Sequence, residues 1–262
     1  MSDSVSTRVG IIIPCYNHGK YIQQALDSII LQDYPHDLIR VCIVDDCSTD
    51  DSVQEILALI NPLADPIFNT EYMVWSTGEY YDIQVILAKH KVNRKQAAAR
   101  NLAINLLLDN VDTFCQLDAD DLYLPGKLSK SVALYEKYSE WTGLVYSDAI
   151  IHDLRDNTYV REFREPYSYI RLQQENIISN APLIAKKALL DVGLYDEELP
   201  PCEDWDLWLR IAEQFVIFHI PEALQQYTVT GQNCTFTVPV THWQQQWSRI
   251  QQKIKERHVI ST

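Results

Sequence analysis

The tract Leu117-Asp118-Ala119-Asp120-Asp121 follows directly on the run Thr113 to Leu117, which reads as a buried strand. In an extended chain, two carboxylates separated by one residue point to the same side. Asp118 and Asp120 would then present hard oxygen donors to one cation. Mg2+ or Mn2+ fits such donors and keeps coordination positions open for phosphate oxygens. A cation held there can neutralise a departing diphosphate. The competing role for an aspartate cluster is purely structural, in a turn or at a helix N-cap.

Two further acidic pairs stand at comparable places. Asp45 and Asp46 end the apolar run Ile39 to Val44. A carboxylate there can accept hydrogen bonds from ribose hydroxyls or from a base N–H. Its structural alternative is an N-cap for the helix that starts near Ser52, a role that Asp46 or Ser48 could fill and that Thr49 and Asp50 also offer. The third cluster is Cys202-Glu203-Asp204-Trp205-Asp206-Leu207-Trp208-Leu209-Arg210. Carboxylates at the start of an apolar helix are favoured by the helix dipole alone. The same position suits a general base that takes a proton from a weakly nucleophilic hydroxyl.

The elements that must hold these residues follow from periodicity. Val9 to Ile13, Ile39 to Val44, Ile83 to Ala88 and Thr113 to Leu117 read as buried strands. Between them run helical patterns: Ile22, Leu26, Ile29 and Ile30 share one face, as do Val53, Ile56, Leu57 and Ile60. Gln96 to Leu108 is rich in Ala and Leu, strong helix formers, and a helix after Pro125 turns Leu128, Val132 and Tyr135 inward. Alternating strands and helices predict an α/β fold with a mostly parallel, Rossmann-like sheet flanked by helices. Ligands bind such sheets at the C-terminal ends of the strands. Tyr16–Asn17, Asp45–Asp46 and Asp118–Asp121 all fall at those ends.

The second half is less regular. Strands are expected over Gly143 to Ser147 and Asn180 to Lys186, and a helix over Asp204 to Gln214. An amphipathic helix is expected over Val240 to Ile254, with Trp243, Trp247, Ile250 and Ile254 on its packing face. Asn61 to Tyr81 lacks a clear period and reads as a loop-rich insertion. His219, in an apolar run, reads as a packed histidine.

Composition narrows the function classes. A formal net charge of −14 repels phosphate backbones, which argues against nucleic-acid binding. Six cysteines without a C-x-x-C pair suggest reduced thiols, not a disulfide framework or a zinc site. No signal-peptide core and no run of about 18 apolar residues stands out. The expectation is a cytoplasmic protein, with peripheral attachment at the inner face of a membrane left open.

Five motifs in order, Val9-Gly-Ile-Ile-Ile-Pro-Cys-Tyr-Asn17, Val44-Asp-Asp-Cys-Ser-Thr-Asp50, Ala98-Ala-Arg-Asn101, Leu117-Asp-Ala-Asp-Asp121 and Glu203-Asp-Trp-Asp-Leu-Trp208, resemble those of family 2 glycosyltransferases, which have the GT-A fold. The resemblance implies an inverting transfer from a nucleotide-sugar donor, with UDP the expected nucleotide, to a glycan or glycoconjugate acceptor. It implies donor contacts from Pro14, Tyr16, Asn17, Asp45, Asp46, Arg100 and Asp118, and a Mn2+ or Mg2+ site at Asp118 and Asp120. Asp120 is the expected direct ligand. It makes Asp204 the catalytic base and places Asn180, Glu203 and Trp205 on the acceptor side. Residues 1–125 would hold the donor, 126–235 the acceptor and the base, and 236–262 the C-terminal helix of the same domain.

The chain departs from the family pattern in two places. Asn93, Arg94, Lys95 and Gln96 stand where a glycine is usual and read as a solvated helix start. Thr228, Val229 and Thr230 stand where many members carry Arg and His, so the third protein contribution to a metal is not apparent. Two other functions are compatible with parts of the pattern. One is a sugar nucleotidyltransferase, disfavoured because Pro14-Cys-Tyr-Asn-His-Gly19 has one Gly and no Arg to cradle a triphosphate. The other is a non-catalytic nucleotide-sugar-binding module.

Overall fold

A computed structural model describes residues 7–60, 67–68 and 72–260. Its strands are β1 (Val9–Cys15), β2 (Ile39–Asp45), β3 (Ile67–Phe68), β4 (Tyr72–Tyr80), β5 (Ile83–His90), β6 (Thr113–Gln116), β7 (Leu122–Tyr123), β8 (Thr142–Asp153), β9 (Thr158–Glu162), β10 (Leu183–Ala185) and β11 (Val216–Val229). Its helices are α1 (Gly19–Ile30), α2 (Ser52–Ile60), α3 (Lys95–Leu107), α4 (Lys127–Lys137), α5 (Tyr169–Gln174), α6 (Lys186–Val192), α7 (Glu203–Ala212), α8 (Cys234–Thr237) and α9 (Val240–Ile260).

All strands join one sheet in the order β3-β4-β5-β2-β1-β6-β10-β8-β11-β7, with β9 added beside β8. The block β5-β2-β1-β6 is parallel. β10 is antiparallel to both β6 and β8, and β8 and β11 then run parallel for most of their length. The sheet is covered on both faces, as parallel strands require. Along β1, Ile11 and Ile13 pack among α1 and α2, while Ile12 packs among residues of α3. This period of two explains why the strands read as unbroken apolar runs.

Helix α3 lies deepest among the flanking layers, with nine of its residues buried from Ala97 to Leu107. Its run of alanines lets the backbone approach the sheet closely. Its other side packs on the segment before α7, where Asn101 exchanges hydrogen bonds with the backbone of Tyr195. Helix α9 buries Ile250 and Ile254 on the same side of the sheet. No helix among the described residues is long and apolar enough to cross a membrane.

Several boundaries differ from the sequence reading. The expected loop-rich segment Asn61 to Tyr81 contains strand β4, paired antiparallel with β5; residues 61–66 and 69–71 lie outside the described residues. A register shift between Val74 and Ser76 breaks the alternation that would have marked the strand. β8 extends to Asp153, whereas β10 is confined to Leu183–Ala185. The helix expected to end at Ile254 continues to Ile260. Of the cap candidates before α2, Asp50 takes the role: its Oδ1 accepts from the Ser52 N–H at 3.0 Å. All six cysteines are free thiols.

Gly19 marks a close approach of two layers. Its N–H donates to Ser52 Oγ at 2.9 Å, and a Cβ placed there would stand 2.6 Å from Ser52 Cα. Backbone cannot yield as a flexible side chain can, so overpacking here should be destabilising. Gly19→Ala is expected to lower stability by about 1–3 kcal/mol, read as an earlier midpoint in urea unfolding. An unchanged midpoint would refute this account of the contact.

Candidate active site

The turns that follow β1, β2 and β6 meet at one end of the parallel block. Asn17, in a left-handed conformation (φ 57°), ties the first two: its N–H donates to Ser48 Oγ, and its Oδ1 accepts from Thr49 N–H. Asparagine tolerates this backbone region better than most residues. Tyr16 beside it is 44% exposed, and Pro14 is half-buried. Asp45 is fully buried; its Oδ2 accepts from Ser48 N–H and faces Lys89 Nζ at 3.6 Å. Asp46 accepts from His90 Nδ1, from Arg94 N–H and from Lys95 N–H at 2.7–2.8 Å. It therefore anchors the start of α3 and is 3% exposed.

The acidic tract is a turn, closed by Asp121 N–H donating to Asp118 O at 3.0 Å. The extended geometry expected from the sequence is replaced, and the three carboxylates diverge. Asp118 accepts from Arg100 Nη2 at 2.8 Å. Asp121, buried, accepts from Asn180 Nδ2 and from Thr228 N–H. Asp120 turns between β1 and the chain after β11: its Oδ2 lies 3.4 Å from Asn233 Nδ2 and 3.9 Å from His18 Nε2.

Arg100 joins this turn to the third acidic cluster. Its Nη1 donates to Glu203 Oε1 at 2.8 Å while Nη2 holds Asp118. Burial opposes the guanidinium charge, and Asp118 and Glu203 more than restore it. Glu203 is fully buried and also accepts from Gln96 Nε2 at 2.6 Å. It faces α3, where Gln96 and Arg100 take up its Oε1. Gln96, expected at a solvated helix start, is part of the same network. Asn180, expected on the acceptor side, has its amide engaged by Asp121 and Gln225.

Asp204, next in α7, looks the other way. Its Oδ2 accepts from Asn176 Nδ2 at 3.1 Å and its Oδ1 from Trp205 N–H at 2.6 Å. It borders a cavity of about 410 Å3, together with Trp205, Trp243 and Trp247. Burial pushes its carboxyl above the usual range, against the pull of Arg100. Burial likewise raises Glu203 to about 7, and Asp120 to about 6, with Asp118 adding to the rise at Asp120 and His18 opposing it.

The residues around Asp120 fit a hard dication. The atoms offered are carboxylate oxygens, the contacts of Oδ2 within the protein are long, and burial, with like charge from Asp118, raises the carboxyl. Among the described residues, no three His, Cys, Asp or Glu side chains form a closed metal cage. A cation here would complete its shell with non-protein oxygens, which is usual for Mg2+. His18, Gln96, Asn176 and Asn233 were not recognised from the sequence. They carry no spacing signature, and their roles arise from contacts across 28 to 113 residues.

Comparisons with known proteins fit this architecture. The Staphylococcus aureus protein TarS (residues 1–349, with UDP-GlcNAc bound) superposes with a TM-score of 0.68 at 19% identity, covering 89% of this chain and 62% of that one. A mannosyltransferase of Pyrobaculum calidifontis, PcManGT, in complex with GDP-Man and Mn2+, gives 0.64 at 19% identity, with 88% and 59% covered. The mostly parallel sheet flanked by helices is thus a GT-A fold.

The model of the glycosyl transferase family 2 matches residues 10–197, and the chain belongs to that family. An uncharacterised glycosyltransferase of Rickettsia bellii is 25% identical across 96% of this chain and 34% of its own length. The putative colanic acid biosynthesis glycosyl transferase WcaA of Escherichia coli is 25% identical across 79% of this chain and 67% of its own. The chain spans about a third of the length of the first three Rickettsia relatives.

The raised Asp120 carboxyl has a consequence for stability. Its proton is held more tightly in the folded protein than in the unfolded chain, whose reference value is 3.8. The stabilisation this gives is complete below that value and is lost as pH rises through about 6. In metal-free buffer, Asp120→Asn should therefore raise the melting temperature at about pH 7.5, with a smaller gain at about pH 5. A melting temperature lowered equally at both values would contradict this electrostatic account.

Proposed function

We propose that this chain transfers a sugar from a nucleotide-diphosphate donor, a UDP-sugar, to a hydroxyl of a glycan or glycoconjugate, with inversion at the anomeric carbon. The observation that carries this reading is the Arg100 bridge. It draws the acidic turn after β6 and the acidic start of α7 together, so a diphosphate at the first would place its sugar beside the second. Family membership, the UDP-GlcNAc bound by TarS and the GDP-Man and Mn2+ bound by PcManGT support it.

In this reading residues 1–125 hold the donor. Tyr16, with Pro14 and Asn17 at the end of β1, offers an exposed ring for the base. Asp45 and Asp46 fix the loops around it. Asp120, with Asp118 beside it, would hold Mn2+ or Mg2+; when bound, the cation neutralises charge on the departing diphosphate. Arg100 orients Asp118 through its Nη2, 2.8 Å from the carboxylate.

Residues 126–235 supply the base. Asp204 accepts the proton of the attacking hydroxyl as the new glycosidic oxygen–carbon bond forms. Burial raises its carboxyl, which strengthens it as a base, and the Arg100 charge opposes that rise. Asn176 and the Trp205 N–H hold its two oxygens, which fixes its direction. One displacement at the anomeric carbon gives inversion. Trp205 and Asn180 frame the acceptor side.

Replacing the base tests the assignment. Asp204→Asn keeps the shape and removes the proton acceptor, so transfer should fall by about 10²–10⁴-fold. Donor affinity with Mn2+, measured by calorimetry, should remain as in the parent protein. Transfer retained near the parental rate would exclude Asp204 as the base. The incubation would use UDP-sugars with Mn2+, following donor hydrolysis as well as transfer to added glycans.

A further inference from the structure

The cavity beside Asp204 has a composition that bears on its occupant. Its walls are Asn176, Asp204, Trp205, Trp243, Gln244 and Trp247, with Pro201 and Cys202 completing the rim, and among the described residues no Lys, Arg or His lines it. Trp205 is 6% exposed, and its Nε1–H is taken by Leu172 O at 2.6 Å. It forms a fixed wall.

Trp247 differs. It stands four residues after Trp243, three before Ile250 and seven before Ile254, a spacing that puts all four on one helix face. Ile250 and Ile254 are buried and Trp243 is partly buried, but Trp247 remains 48% exposed. A large aromatic on the packing stripe of α9 is thus left uncovered where it overhangs the cavity.

The helix that carries it is held in place. His242 Nε2 and Gln246 Nε2 both reach Pro200 O, Gln251 Nε2 donates to Gln173 O, and Arg249 Nη1 donates to Glu198 O. Arg257 Nη1 and Lys253 Nζ lie 3.4 and 3.6 Å from the buried Asp206 of α7. The Trp247 ring is therefore presented on a rigid support, which reduces the entropy lost on binding.

We propose that this cavity is a subsite for a neutral pyranose ring of the acceptor, with Trp247 as its stacking platform and Asp204, Asn176 and Gln244 as its hydroxyl partners. The proposal rests on the glycosyltransferase reading for its place in the reaction. The axial C–H groups of a pyranose carry slight positive charge and pack on the negative face of an indole, while its hydroxyls need hydrogen-bond partners at the edge. An anionic ring or a phosphate is disfavoured, because among the described residues the charge lining the cavity is the Asp204 carboxylate. An acyl chain would strip water from the Asp204 carboxylate and offer its remaining lone pairs no donor in return.

The test is saturation-transfer NMR on the full chain without nucleotide. The probes are methyl pyranosides and short neutral oligosaccharides, glucuronate, and a straight-chain alcohol. At least one neutral pyranoside should show transfer to its ring C–H protons. Trp247→Ala should weaken its binding about tenfold or more, and Trp247→Phe should retain most of it. Melting curves would confirm that both variants are folded, and the Phe variant keeps the test valid if the Ala variant is not.

The proposal fails if no neutral pyranoside binds, if binding is indifferent to both substitutions, or if glucuronate or the alcohol binds as well. Donor hydrolysis with Mn2+ separates the two ideas. Hydrolysis without pyranoside binding overturns this subsite and leaves the transferase reading standing. Pyranoside binding without hydrolysis does the reverse.

Discussion

Arg100 is a buried cation between two acidic segments that the chain brings together from 18 and 103 residues away. A buried carboxylate such as Glu203 is tolerable only if its charge is compensated where it lies. The guanidinium does this with two nitrogens directed at two different partners, a geometry that a lysine ammonium does not offer. Helix α3 must therefore sit close to the sheet, and its alanines permit that. The start of α7 must come to α3, and the hydrogen bonds between Asn101 and Tyr195 hold the preceding segment in register. The position of Asp204 follows from these constraints, although Asp204 itself makes no hydrogen bond to Arg100 among those described.

The remaining carboxylates are arranged around a shortage of positive charge. Asp120, Asp121, Glu203 and Asp204 all have carboxyls raised chiefly by burial. Amides and backbone N–H groups orient them: Asn180 and Thr228 for Asp121, Asn233 for Asp120, Gln96 for Glu203, and Asn176 for Asp204. Amide donors fix direction without cancelling charge. The site is consequently an electrostatic liability in the ligand-free chain, and a bound cation would relieve it. Functional sites commonly retain such destabilising arrangements because activity depends on them.

Helix α9 extends the same logic to the other side of α7. Asp206 is buried, and Arg210, Lys253 and Arg257 surround it. One carboxylate of α7 thus faces a cluster of cations that ties down the C-terminal helix. Glu203, three residues earlier, faces Arg100, and Asp204 between them faces the open cavity. The three acidic residues in the first turn of α7 have three different environments, set by the 100° step between successive helical positions.

Much of this protein could be read from its residues alone. The strands β1, β2, β5 and β6 declare themselves as apolar runs because parallel strands are buried on both faces. Helices α1 and α2 declare themselves by faces of period 3.6, and the acidic pairs fall at strand ends because that is where such sheets leave space. The motifs also sufficed to suggest the family. Tertiary structure decided what local pattern does not encode. Strand β4 was hidden by a register shift, and the Asp118–Asp121 tract became a turn because its carboxylates serve partners in different directions. Asp46 caps α3 rather than α2, and Glu203 and Asp204, adjacent in sequence, point apart. The physical reason is common to all of these: hydrogen bonds and charge compensation act between residues that only packing makes neighbours, whereas hydrophobic periodicity is written in the order of the chain.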